Sequence, residues 1–165
     1  MSHIRSINTG PELQLRHTLW QRGFRYRVND RRLPGSPDIV LPKHRSVIFV
    51  HGCFWHSHKG CRYYTVPKTH TDFWTAKVER NQARDQETWR QLEAKGWRVV
   101  IVWECQLKKA ALDATIDRIV AELLHNEEQY RSEQAARLKA KQEYLTAQKA
   151  KKAKELALRR EVKAY

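Results

Sequence analysis

The eleven residues from His51 to Cys61 constrain this chain more than any other stretch. They hold three imidazoles, two thiols and the adjacent aromatics Phe54 and Trp55, and they follow directly on the apolar run Val47-Ile48-Phe49-Val50. A run of four apolar residues, two of them β-branched valines and one isoleucine, predicts a buried strand. The polar run then leaves the end of that strand as a loop, where binding and catalytic residues are often placed. Imidazoles and thiols bind zinc and move protons, so the loop predicts chemistry as well as topology.

The object of that chemistry is predicted from charge. The 165 residues carry 32 Lys+Arg against 18 Asp+Glu, a net charge of +14, which favours a polyanion and above all nucleic acid. An acidic membrane surface is the next class, but no amphipathic anchor, lipidation signal or membrane-spanning run is present, and Met1-Ser2-His3-Ile4-Arg5 lacks the apolar stretch of a signal peptide. A cytoplasmic protein is expected. Three cysteines cannot form a paired disulfide framework, and in a reducing compartment thiols beside histidines point to metal.

Along the chain, Ser6-Ile7-Asn8-Thr9-Gly10-Pro11 is a turn-rich lead-in, with Thr9 or Gly10 as N-cap and Pro11 at the first helical position. Leu13, Leu15, Leu19 and Trp20 predict a helix that Gly23 ends. Phe24 to Val28 alternates apolar and basic residues as a half-buried strand does. Asp38 to Leu41 and Ser46 to Val50 are predicted as central strands joined by a turn, and the His/Cys loop covers about 51–71. A helix is expected from about Asp72, its N-cap, to Lys95, closed by Gly96. Trp97 to Trp103 is a further strand, and Leu112 to Leu124 has helical spacing. Residues 126–165 lack Gly, Pro and Trp, and carry 11 Lys+Arg against 6 Asp+Glu. They read as a solvated basic helix, either a charged tail or an extension gripping the DNA backbone. The order predicts an α/β fold, a mixed central sheet flanked by helices, with a main domain over 1–125 and a basic helical extension over 126–165.

Cys53, His58 and Cys61 lie close enough on one loop to limit the entropy of closing a metal clip. A closed zinc site needs a fourth ligand, and Cys105 is the only other cysteine. The competing reading treats the thiols as core fillers. Spacing leaves open which of the three loop histidines is the ligand. Asp38 opens a strand whose neighbour ends at Val50-His51, so a carboxylate able to hold Mg²⁺ falls near that end. Glu12, on the first helix, could support such a site through metal-bound water. His51 and His56 are then candidates to activate water or protonate a leaving oxygen. Phe54, Trp55 and Trp74 are three bulky rings flanking a basic loop and suit insertion into a base stack.

Four phrases carry a specific resemblance: Leu33-Pro34-Gly35-Ser36-Pro37-Asp38; Val47 to His56; Val66 to Trp74; and Gly96 to Cys105. In order and spacing the chain resembles the very-short-patch-repair (Vsr) DNA mismatch endonucleases over residues 2–124. The resemblance implies a restriction-endonuclease-like fold and an enzyme that nicks one strand 5′ to the thymine of a T·G mismatch in double-stranded DNA. By position it implies Mg²⁺ held by Asp38 and the Val50 carbonyl, with His51 and His56 catalytic and Glu12 near the metal-bound waters. Asn81 and Asp85 would orient those waters. Zn²⁺ would be structural, on Cys53, His58, Cys61 and Cys105. Phe54, Trp55 and Trp74 would form the wedge, and Lys77 would touch DNA. A monomer is expected, with other mismatch-repair proteins as candidate partners.

Two alternatives accompany this expectation. One is a restriction or defence endonuclease of the same fold that cuts other DNA. The other is a zinc-stabilised DNA-binding module without catalysis, which would have no use for Asp38, His51 and His56 together.

Overall fold

The computed structural model describes residues 7–65 and 67–163, with side chains to residue 156 at the C-terminal end. Met1 to Ser6 and Val66, which enter the sequence reading above, lie outside the described residues, as do residues 164–165.

The first helix, α1 (Gly10–Gln21), starts behind Thr9, which has extended φ/ψ as an N-cap requires. Thr9 does not cap the backbone with its side chain; its hydroxyl donates to Glu12 Oε1 (2.8 Å), and the Asn8 amide donates to Glu12 Oε2 (2.9 Å). Arg16, 6% exposed, completes this knot: its guanidinium reaches Glu12 Oε2 (3.1 Å), Asn8 Oδ1 (2.6 Å), Asn29 Oδ1 (3.2 Å) and the Asp38 carbonyl (3.0 Å). One buried cation thus ties α1 to the residue that precedes the second strand.

The sheet has four strands in sequence order: β1 (Arg27–Val28), β2 (Ile39–Leu41), β3 (Ser46–His51) and β4 (Arg98–Trp103). β1/β2 and β2/β3 are antiparallel, and β3/β4 is parallel, which makes the sheet mixed. The parallel step needs a crossover, supplied by α2 (Thr71–Ala94). Side chains alternate between two cores. Ile39, Leu41, Ile48, Val100 and Val102 pack with Leu15 and Leu19 of α1 and with Ile116, Ile119 and Leu123 of α3 (Leu112–Lys163). Val40, Val47, Phe49, Val99 and Ile101 face Leu92 and Trp89 of α2. Helices therefore cover both faces. A one-turn 3-10 helix, Glu104–Leu107, follows β4 and carries Cys105.

Two expectations need correction. Only Arg27–Val28 of the predicted Phe24–Val28 strand pairs with the sheet, both exposed at its edge, while Phe24 turns into the core. Asp72 is not an N-cap: α2 begins one residue earlier, behind His70 in the left-handed region, and Asp72 sits in its first turn. The change of composition at residue 126 falls inside α3, which runs unbroken for 52 residues.

Contacts divide the chain after Glu127. Up to that point α3 contributes core residues; from 128 to 156 its side chains are exposed apart from Tyr130 and Gln134. Among the described residues no helix is long and apolar enough to cross a membrane.

Candidate active site

A cleft of about 770 Å³ opens at the end of β3. Its lining brings together Glu12, Asp38, Val50, His51, His56 and Asp85, six positions that the sequence reading placed in one site. Local structure explains how they meet. The turn Leu33–Ser36 delivers Asp38 to the start of β2, and it passes so close to α2 that a Cβ on Gly35 would lie 2.4 Å from Thr88 Cγ2; Gly35 also has φ +70°. Ile39 pairs with Ile48, so Asp38 falls beside the last residues of β3.

There the Val50 amide donates to Asp38 Oδ2 at 2.7 Å. In an extended residue N–H and C=O point to the same side, so the Val50 carbonyl faces the Asp38 side of the sheet, where β2 has already ended. A carboxylate oxygen and a backbone carbonyl are hard donors of the kind Mg²⁺ takes. Burial pushes the Asp38 carboxyl up to about 6, against the pull of the Val50 amide, and the nearby Glu12 charge adds to the rise. A carboxylate held in this way favours a bound cation. The Arg16 guanidinium meets the Asp38 backbone rather than its side chain.

The histidines are arranged in series. His56 Nδ1 sits 2.5 Å from Asp85 Oδ2, so Nδ1 carries the proton and Nε2 is left as the basic nitrogen. The ring of His56 stacks on His51 at 3.8 Å and 19°. His51, 5% exposed, lies between that ring and Trp89. Burial, with the neighbouring His56, drives its pKa down to about 4, so it is neutral at physiological pH. Glu12 lines the cleft, yet both its oxygens are bound in the α1 knot. Asn81 does not line the cleft; its amide donates to the Trp55 carbonyl (3.0 Å) and so fixes the loop rather than a point beside Asp38.

The four residues expected to bind zinc also converge. Cys53, His58, Cys61 and Cys105 place one ligand atom each within 4.8 Å of one another. His58 Nδ1 lies 3.6 Å from Cys53 Sγ and 3.3 Å from Cys105 Sγ. Tetrahedral zinc, with Zn–S near 2.3 Å and Zn–N near 2.0 Å, separates such atoms by about 3.5 Å. The His58 ring is held flat against Trp103 at 4.2 Å and 2°, which leaves Nδ1 facing the thiols. The residues fit a structural metal, and they would tie the loop to the turn after β4.

Phe54, Trp55 and Trp74 form one half-buried cluster: Phe54 meets Trp55 at 5.0 Å and Trp74 at 5.3 Å, edge to face. Lys77 Nζ lies 5.2 Å from the Trp55 ring and 5.4 Å from that of Trp74. Aromatic rings under a cation present a surface suited to bases and phosphates.

Sequence reasoning missed three arginines and Trp89. Arg31 and Arg84 line the cleft, and neither has a carboxylate partner among the described residues. An arginine on an exposed turn or helix face carries no sequence signal beyond the net charge. The i,i+4 pair Glu12–Arg16 was a legible signal for Arg16.

The family profile described as DNA mismatch endonuclease Vsr matches residues 1–63. The chain is similar to the type II nicking enzyme V.XorIIP of Xanthomonas oryzae pv. oryzae, 49% identical over 121 residues, covering 73% of this chain and 88% of that one. It is similar to the type II nicking enzyme V.NmeAIP of Neisseria meningitidis, 46% identical over 124 residues, covering 74% and 88%. Its likeness to the DNA mismatch endonuclease Vsr of Escherichia coli is 45% over 108 residues, covering 66% and 69%. The chain belongs to the Vsr family of DNA mismatch endonucleases.

Proposed function

We propose that this protein is a Mg²⁺-dependent endonuclease of restriction-endonuclease-like fold that nicks one strand of duplex DNA 5′ to the thymine of a T·G mismatch. The observation that carries the reading is the junction of Asp38 with the Val50 backbone (2.7 Å) in the same cleft as the His56–Asp85 pair (2.5 Å). The names of the relatives, a mismatch endonuclease and nicking enzymes, support it.

Asp38 and the Val50 carbonyl are the residues that would hold Mg²⁺, which supplies polarisation of the phosphate and offsets charge on the leaving 3′ oxygen. His56 Nε2 accepts a proton from the attacking water, while Asp85 holds the ring and balances the imidazolium. The water oxygen bonds to phosphorus, the P–O3′ bond breaks, the leaving 3′ oxygen takes a proton from solvent, and the products are a 3′ hydroxyl and a 5′ phosphate. His51, neutral and buried, keeps the His56 ring in place and faces the scissile linkage. Arg31 and Arg84 bring positive charge to the phosphates. Glu12 acts through Arg16, which fixes the backbone of Asp38. Cys53, His58, Cys61 and Cys105 would hold Zn²⁺, which would brace the loop so that Phe54 and Trp55 stay beside Trp74 and Lys77, as a wedge for the mismatched step. Such a step costs less to open than a paired one, which makes the wedge selective.

The test is single-turnover cleavage of end-labelled duplexes, matched and with each mismatch, resolved on denaturing gels with and without Mg²⁺. The proposal requires one nicked strand, at T·G, only with metal. Cleavage of both strands of matched DNA would indicate the restriction-type alternative, and no cleavage with Mg²⁺ or Mn²⁺ the binding-module alternative.

A further inference from the structure

The part of α3 beyond Glu127 is used by none of the chemistry above. Its residues Leu138, Lys141, Leu145, Lys149, Lys152 and Leu156 follow one another at intervals of three or four, so they form a single stripe along the helix. The same spacing continues in sequence to Arg159 and Lys163. The acids of this segment, Glu128, Glu133, Glu143, Glu155 and Glu161, all fall off the stripe. Lys139, Lys151 and Lys154 lie on the remaining surface, where they are mixed with those acids. The charges are therefore sorted by face, and a merely soluble helix has no need of that.

Among the described residues the stripe is exposed. Leu138, Leu145 and Leu156 are 66%, 46% and 52% exposed. Lys141, Lys149 and Lys152 are exposed and have no ion-pair partner among the described residues. We propose that this stripe binds the sugar–phosphate backbone of duplex DNA without regard to sequence.

Charge complementarity selects that occupant. A second copy of the helix would set lysines against lysines. A lipid surface needs a continuous apolar face about 100° wide, whereas here lysines interrupt three leucines. Lysines that neutralise phosphates release counterions, and this supplies binding that is independent of sequence. The leucines contribute apolar contact to deoxyribose. The inference rests on the nuclease reading only in its choice of polyanion, and the two are tested by different readouts.

The experiment compares two full-length triple variants with equal loss of charge. One is Lys141→Gln/Lys149→Gln/Lys152→Gln, on the stripe; the other is Lys139→Gln/Lys151→Gln/Lys154→Gln, on the mixed surface. Glutamine keeps helix propensity. Affinity for a matched 30-base-pair duplex is measured from about 50 to 200 mM salt, a range over which several phosphate contacts change binding strongly. The stripe variant is expected to lose about 2–3 from the slope of log K against log salt, roughly one per lysine, and to bind about tenfold or more weakly near 150 mM. The other variant should lose less than about one. Nicking of saturating T·G duplex should match the parent in both, and it reports on the cleft alone. Equal slopes for the two variants, or a stripe variant that keeps the parent slope, would overturn the inference. So would a stripe variant that keeps its DNA affinity and loses instead either binding to phosphatidylserine vesicles or self-association in sedimentation.

Discussion

Replacing Asp38 with asparagine should make the protein more stable and inactive at once. The Asp38 carboxyl is pushed from an ordinary 3.8 to about 6, chiefly by burial. Each unit of such a shift corresponds to about 1.4 kcal/mol, so ionising this group in the folded, Mg²⁺-free protein costs roughly 3 kcal/mol. A carboxyl whose folded pKa is raised contributes stability that is present below pH 4 and lost as pH rises through 6. At pH 7.5 the parent has therefore lost it. Asparagine keeps an oxygen for the Val50 amide and has no charge to desolvate. In a domain of this size, about 3 kcal/mol corresponds to a rise in Tm of roughly 8–15 °C. Thermal melts of parent and Asp38→Asn are compared at pH 7.5 and 4.5, without Mg²⁺ and without chelator, so that zinc stays in place. The gap should be large at pH 7.5 and shrink by about two thirds at pH 4.5, and added Mg²⁺ should raise the Tm of the parent alone. Equal melting temperatures at pH 7.5, or a gap that does not shrink at pH 4.5, would refute the account of Asp38 as a carboxylate kept at a cost for a cation.

Asp85→Asn should reduce single-turnover nicking by at least about 100-fold with DNA affinity unchanged, because an amide can turn its N–H to His56 Nδ1 and move the proton to Nε2. Arg16→Ala leaves Glu12 buried without its cation and should cost about 3–5 kcal/mol in urea unfolding, whereas Arg16→Met/Glu12→Gln together should cost clearly less than the sum of the singles. Cys105→Ser should lower bound zinc, read by elemental analysis, and lose mismatch selectivity before it loses the fold, since the core of α1, α3 and the sheet does not include the metal loop.

The sheet was legible because its strands are short apolar runs; in the structure two-residue alternation puts Ile39 and Leu41 in one core and Val40 in the other. The candidate catalytic residues were legible because Asp38 and His51 sit at strand ends, where register alone brings them together. Long-range side-chain geometry was not legible. Nothing in the sequence aims Asn81 at the Trp55 carbonyl, and nothing places Arg31 and Arg84 in the cleft, because an exposed arginine has the same local signal wherever it points. The edge strand was overestimated because alternation in Phe24–Val28 reports burial, not pairing: Phe24 fills the core from a loop. The change of composition at residue 126 lies close to where contacts divide the chain, after Glu127, yet it leaves no mark on the backbone, because no Gly or Pro stops α3 there.

One rod of backbone, α2, serves two ends of the enzyme. Its first turns carry Trp74 and Lys77 at the aromatic cluster, and its middle carries Asn81, Gln82 and Asp85, which hold Trp55, His56 and again His56. At 1.5 Å per residue, Trp74 and Asp85 stand about 16 Å apart on a stiff ruler. In the proposed function, helical pitch thereby keeps detection of a fault in DNA in phase with cutting beside it. A single residue inserted between Lys77 and Asn81 would turn one end by about 100° against the other and leave an enzyme that senses and cuts at unrelated places.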